Sequence, residues 1–202
     1  MRILLVRHAQ TNENEKNIIQ DGKATISEEG NRQLGILVTR LEKEKIDLII
    51  SSDFDRCKIT AEKIAETLNR PIEFDVLLRE KHDGDWIGKS TKEVNWDSLE
   101  GTIESRRAPN GENLLEVRER TRKFFKKLIE NYKSTNKTIL VVSHATISRI
   151  AVGDLIGLSI TDSIFNITID NCSLTEIDVK DMYKKGYRLI YLNEKSFLSM
   201  SL

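Results

Sequence analysis

The chain has 202 residues, and its 32 Lys and Arg are balanced by 32 Asp and Glu, so its net charge is zero with the histidines neutral. That balance excludes the broad positive field on which nucleic-acid binders and polybasic membrane-surface proteins depend. With 39% hydrophobic and 32% charged residues, the chain can bury a core and solvate a surface, which excludes intrinsic disorder. Length and the absence of a Ser/Gly/Pro-rich linker or internal repeat predict a single domain over residues 1–202. The apolar run at 3–6 is too short for a signal-peptide core, and no segment approaches the roughly 20 apolar residues of a membrane helix. A cytoplasmic protein without a membrane partner is expected. Cys57 and Cys172 lie far apart without Cys-x-x-Cys or metal-ligand spacing, so both read as reduced core residues.

In chain order, residues 2–6 (RILLV), 47–51 (DLIIS) and 138–142 (TILVV) are short aliphatic runs, the pattern of strands covered on both faces of a parallel sheet. Helical spacing runs between them. Leu34, Leu37, Val38 and Leu41 recur in 27–43 behind the N-cap candidate Ser27, and Cys57, Ala61, Ile64, Ala65 and Leu68 recur in 53–68 behind Asp53. Further helices are predicted over 112–133 and 145–156, and the alternating stretches 173–179 and 187–192 predict added, antiparallel strands. This order of elements predicts a three-layer α/β/α sandwich with a mainly parallel, mixed sheet.

Ligands of such sheets bind beyond the carboxyl ends of the strands. The first predicted strand ends in Arg7-His8, the third in Ser143-His144, and the second in Ser51-Ser52-Asp53 with Arg56 in the following turn. Two imidazoles and two guanidiniums at helix N-termini make a pocket for a compact dianion, because arginine donates in bidentate fashion to phosphoryl oxygens and open helix amides favour negative charge. A neutral histidine there can also attack phosphorus and carry the group covalently, while the remaining cations stabilise its equatorial oxygens. Each residue alone reads as an ordinary polar side chain. Their joint placement at successive strand ends carries the chemistry.

Five ordered blocks extend the pattern: RHAQT at 7–11, SSDFDRCKITAEKIAETL at 51–68, LREKHDGDWIGKS at 78–90, APNGENLLEVRERTRKF at 108–124 and VVSHATISRI at 141–150. Together they resemble the histidine phosphatase superfamily, the phosphoglycerate-mutase-like group. The resemblance implies an α/β sandwich, no metal and no cofactor. It implies that His8 is the nucleophile, that Arg7, Arg56 and His144 bind the transferring phosphoryl group, and that Asn14 also reaches phosphate. Glu80 matches the acid that protonates the leaving oxygen and then, as a carboxylate, activates water. Gly22, His82 and the Ala145 position join the expected substrate contacts.

The chain departs from the family pattern where Ala9 and Ala145 stand in place of glycine, where Asp83 replaces an aromatic residue, and in a shortened loop at 20–25. An alanine at a position needing positive φ would be strained. Mutases of the superfamily carry an inserted segment that closes over substrate, and here little chain remains between Glu80 and the helix at 112 to build one. A phosphomonoester phosphatase acting on a small phosphorylated metabolite, as a monomer or homodimer, is therefore favoured over a phosphomutase. Arg106-Arg107 faintly resembles the arginine pair that mutases use for a second acidic group, and the favoured reading is a solvated loop pair. A non-catalytic phosphate-binding module is the alternative from another class, and retention of His8 and Glu80 speaks against it. The expectation is a small cationic pocket within a neutral chain.

Overall fold

The computed structural model describes residues 1–199, so the last three residues of the expected single domain lie outside the described residues. The aliphatic runs form strands β1 (Arg2–Arg7), β2 (Leu48–Ser51) and β4 (Thr138–Ser143), with a short β3 (Ile72–Phe74) on one edge and β5 (Leu174–Val179) and β6 (Tyr187–Glu194) on the other. The sheet order is β3-β2-β4-β1-β5-β6. The first four are mutually parallel, and β5 and β6 run antiparallel as the alternating tail predicts. The mixed three-layer sandwich expected from sequence is the fold.

Successive side chains of a strand point to opposite faces, so each central strand feeds two cores. Leu4 and Val6 of β1, Ile49 of β2, and Leu140 and Val142 of β4 pack on one face with the apolar stripes of α2 (Glu28–Leu41) and α3 (Asp55–Leu68). Ile3, Leu5, Leu48, Ile50, Ile139 and Val141 pack on the other with α4 (Leu114–Tyr132) and α5 (Ala145–Ile156). Both thiols are free and buried, as expected from their spacing. No helix among the described residues is long and apolar enough to cross a membrane.

Capping sets the helix starts. Ser27 caps α2 by accepting from Gly30 N at 3.0 Å, and Asn113 with Glu116 forms a reciprocal capping box at α4. Asp53 does not cap α3. Phe54 holds that position without a side-chain bond, and Asp53 is instead drawn into a two-pronged pair with Arg79, Nε to Oδ1 at 2.7 Å and Nη2 to Oδ2 at 2.5 Å. Two short helices were not anticipated, α1 (Asn12–Glu15) and α6 (Ile160–Asn166), nor was β3. β3 is a three-residue edge strand with mostly exposed side chains, too short to show a period.

Register then builds the rim. Arg7 pairs with Ser143 and Ser51 with Val142 across parallel strands, so His8, His144 and Ser52 emerge side by side where the strands end. The amide of His8 donates to the Ser143 carbonyl at 3.0 Å, and that of Ser52 donates to the Val142 carbonyl at 3.0 Å.

Candidate active site

A cavity of about 590 Å³ opens at this rim, lined by Arg7, His8, Asn14, Ile19, Gln20, Arg56, Glu80, Lys81, Asp83, Thr91, Trp96, Asp97, Ile103, Arg106, Leu114, Thr146, Ile164 and Phe165. The strand-end residues form its floor. His8 is buried, and its Nδ1 lies 2.7 Å from the Ala9 carbonyl oxygen. A carbonyl only accepts, so Nδ1 carries the proton and the lone pair resides on Nε2. Burial, then the charges of Arg56 and Arg7, hold the His8 pKa well below the usual histidine range, so the ring is neutral near pH 7. Ala9 needs no glycine, because neither it nor Ala145 is among the residues with positive φ.

His144 sits beside His8, ring centroids 5.3 Å apart, and is fully buried beneath the cavity. Arg56 Nε–H donates to its Nδ1 at 3.2 Å, which places the ring proton on Nε2, 3.0 Å from Ser52 Oγ. Burial, then Arg56, keeps this imidazole neutral as well. The Cys57 thiol closes the other side, with Sγ 3.3 Å from Nε2 and donating to the Ser143 carbonyl at 3.3 Å. Burial pushes the Cys57 thiol pKa far up, so it packs as a neutral group.

Two guanidiniums flank the histidines. Arg56 is 2% exposed and is aimed by the Asp21 carbonyl, which accepts from Nη1 at 2.6 Å. Arg7 donates from Nη1 to the Ile169 carbonyl at 2.8 Å, while its buried Nε–H has no acceptor among the described residues and is a donor available to an anion. Burial lowers the Arg7 pKa from its usual value, yet the guanidinium stays charged. Asn14 completes the capping box of α1 through Oδ1, which accepts from the N-cap Thr11 N at 3.2 Å, and so keeps its amide donors for the cavity it lines.

Glu80 reaches the rim from the segment after β3. Its Oε1 accepts from Lys81 N at 2.9 Å and its Oε2 from Thr146 N at 3.2 Å, in the first turn of α5, where the N-cap residue His144 makes no capping bond of its own. Arg120 of α4 holds this segment by donating to the carbonyls of Leu77 at 2.9 Å, Arg79 at 2.5 Å and Glu80 at 3.1 Å. Ser143 Oγ–H adds a bond to the Leu78 carbonyl at 2.8 Å.

The structure therefore brings Arg7, His8, Asn14, Arg56, Glu80 and His144 together. Three other expected contacts lie apart. Gly22 packs under the Phe54 ring and accepts from Asp55 N at 2.9 Å, so it braces the start of α3 and does not line the cavity. His82 is exposed, its Nδ1 accepting from Gly84 N at 3.2 Å, because the backbone turns outward there. Gly84 makes that turn possible, with φ +52° and a carbonyl of Pro109 where a Cβ would stand. Ala145 contributes the first helical residue of α5 and no cavity surface.

The segment between Glu80 and α4 also does more than expected. Although short, it supplies Thr91, Trp96, Asp97, Ile103 and Arg106 as one wall, with Trp86 edge-on to Trp96 at 4.6 Å between centroids. Arg106 lines the cavity, whereas Arg107 points away to Glu116, 2.9 Å from its carboxylate. Ser52, Cys57 and Arg120 were missed because serine, cysteine and arginine in apolar-periodic helices or strand ends carry no distinguishing spacing.

A buried pair of neutral histidines and a pair of arginines at the carboxyl end of a parallel sheet defines a phosphoryl-handling α/β enzyme. Residues 3–194 match the histidine phosphatase superfamily (branch 1), and the chain belongs to it. A protein of Hydrogenobacter thermophilus provisionally named phosphoserine phosphatase 2 is 31% identical over 202 residues, covering 96% of this chain and 95% of its own. One of Escherichia fergusonii, provisionally named phosphoglycerate mutase GpmB, is 29% identical over 189 residues, 90% of this chain and 86% of its own. The mycobacterial glucosyl-3-phosphoglycerate phosphatase complexed with VO3 shares the fold at a TM-score of 0.84 and 24% identity, covering 96% of this chain and 99% of that one.

Proposed function

We infer that the protein hydrolyses phosphomonoesters through a phosphohistidine on His8 Nε2, without metal or cofactor. The observation that carries this reading is the bond from His8 Nδ1 to the Ala9 carbonyl, which leaves a neutral imidazole with its lone pair on Nε2 in a cavity flanked by Arg7 and Arg56. Nε2 attacks phosphorus as the bond to the leaving oxygen breaks, and Glu80 delivers its proton to that oxygen. Water then attacks phosphorus, Glu80 takes the proton back, and the phosphorus–nitrogen bond breaks to release phosphate and restore His8. Arg7, Arg56 and Asn14 stabilise the equatorial oxygens in both steps, with His144 bracing Arg56 from beneath through Nδ1, and removal of one such donor typically costs on the order of 10²–10³ in rate.

Two free thiols fit a reducing, cytoplasmic compartment. The working unit is a monomer or homodimer, with the phosphorylated metabolite as its partner and neither nucleic acid nor membrane. The test is release of phosphate from p-nitrophenyl phosphate with a chelator present. Wild-type protein is expected to be active and His8→Ala inactive, with phosphate trapped on wild-type protein as an acid-labile, base-stable adduct. Full activity in His8→Ala overturns the mechanism.

A further inference from the structure

Away from the phosphoryl floor, the cavity wall carries charges in pairs. Lys81 is ion-paired with Asp83, and their side chains are only 10% and 20% exposed. The same ammonium lies 4.3 Å from the centroid of the Trp96 ring. Arg106 donates from Nη1 to Asp97 at 2.9 Å and from Nε to the Gly101 carbonyl at 3.0 Å. Burial raises the pKa of Asp83 and Lys81 opposes that rise, the behaviour of a carboxylate held in the wall by its cation.

The balance of the lining follows. Four cations, Arg7, Arg56, Lys81 and Arg106, face three acids, Glu80, Asp83 and Asp97. One net positive charge remains, and the phosphoryl dianion alone more than offsets it. A second anionic group on the substrate finds both wall cations already ion-paired, Lys81 with Asp83 inside the wall and Arg106 with the exposed Asp97 at its mouth. The apolar parts of the wall, Ile103, Leu114 and Phe165, offer it no compensation either.

We propose that the Lys81–Asp83 pair makes the leaving-group end of this site charge-balanced, so that it selects phosphomonoesters whose leaving alcohol has no net charge, neutral or zwitterionic, and that Asp83 is the residue excluding a second anion. This rests on the phosphatase reading above. Asp83 acts here as a specificity residue and has no part in the chemical steps. Its Oδ2 has no protein partner among the described residues, and so is also an acceptor for an ammonium or hydroxyl of the leaving group.

O-phosphoserine and 3-phosphoglycerate form a matched pair, differing in an ammonium against a hydroxyl, so that one leaving group is zwitterionic and the other anionic. The experiment measures kcat/KM for both, and for p-nitrophenyl phosphate, in wild type, Asp83→Asn and Asp83→Glu. Because the reading is a ratio within each variant, partial loss of folded protein cancels. Wild type is expected to prefer phosphoserine. In Asp83→Asn, freeing Lys81 for the substrate carboxylate raises the ratio of 3-phosphoglycerate to phosphoserine on the order of tenfold, the effect of one charge-assisted hydrogen bond. Asp83→Glu, which keeps the charge, returns the ratio toward wild type. A wild-type preference for 3-phosphoglycerate, an unchanged ratio in Asp83→Asn, or equal ratios in the two variants overturns the proposal while p-nitrophenyl phosphate is still cleaved. No hydrolysis of any of the three by wild type overturns the phosphatase reading itself, and this inference falls with it.

Discussion

Replacing Arg120 by methionine keeps the aliphatic stem packed on α4 but removes the guanidinium that ties Leu77, Arg79 and Glu80 to the helix. Three charge-assisted bonds to backbone carbonyls are lost, at 2.9, 2.5 and 3.1 Å, together with the pair to Glu112 at 3.0 Å. Each such bond contributes roughly 1.5–3 kcal/mol when shielded from water. The Arg120 side chain is 15% exposed and water can solvate the freed carbonyls, so a net stability cost of about 2–3 kcal/mol is expected. The kinetic consequence is more specific. Glu80 would keep its bonds to Lys81 N and Thr146 N but lose the frame behind them, and a displacement of about 1 Å in a catalytic group costs on the order of 10²-fold. That loss falls on substrates whose leaving oxygen needs a proton. The measurement is kcat/KM, which reports steps up to transfer onto His8, for an alkyl phosphate and for p-nitrophenyl phosphate, whose nitrophenolate leaves unprotonated. Arg120→Met is expected to lower the first about 30- to 100-fold and the second by less than about threefold. Equal losses on both substrates, or no loss on the alkyl ester, would falsify the assignment of Arg120 as the residue that positions the acid.

Other expectations concern the two histidines. Both are held well below the usual histidine pKa, first by burial and then by Arg56. Above the unfolded value of about 6.5 neither state is protonated; as pH falls through it, the unfolded chain takes up protons that the folded chain refuses. Stability should therefore decline from pH 7 toward pH 5 by up to about 1.4 kcal/mol per pH unit for each histidine, and urea midpoints for wild type and His144→Asn should show a shallower slope in the variant. A midpoint that rises on acidification contradicts this. Ser52→Ala removes the partner of the His144 Nε2 proton at 3.0 Å, so that Arg56 still fixes the tautomer but the ring is left with a buried unpaired donor and a loosened orientation. A fall in kcat/KM of roughly tenfold or more is expected on alkyl and nitrophenyl substrates alike, unlike the split for Arg120→Met, and equal activity to wild type would show that the hydroxyl does not set the ring.

Apolar patterning made the central strands and the four long helices legible, because burial on one face or two imposes a period that short windows reveal. The helix at 145–156 matched to the residue, since β4 ends at Ser143, His144 takes the N-cap position, and Gly157, with φ +86°, supplies the left-handed cap. Where the driving force was not periodic, the reading failed. Asp53 looks like a cap in sequence, but Arg79 lies close enough in space to claim both its oxygens. His82 follows the acid by two residues and invites a role, yet the turn at Gly84 carries it to the surface.

The neutral total charge and the strand-ending Arg7-His8 and Ser143-His144 pairs are properties of the linear chain, and they determined that any cationic site would be small and would lie at one edge of the sheet. Residues 7, 8, 143 and 144 are placed by strand register alone, which follows from which side chains must be buried. Only the tertiary structure decided which histidine nitrogen carries the lone pair, which arginine braces Glu80, and that Lys81 and Arg106 face the cavity already partnered by acids. Those facts depend on contacts between segments far apart in sequence, through carbonyls and carboxylates whose direction no residue pattern encodes.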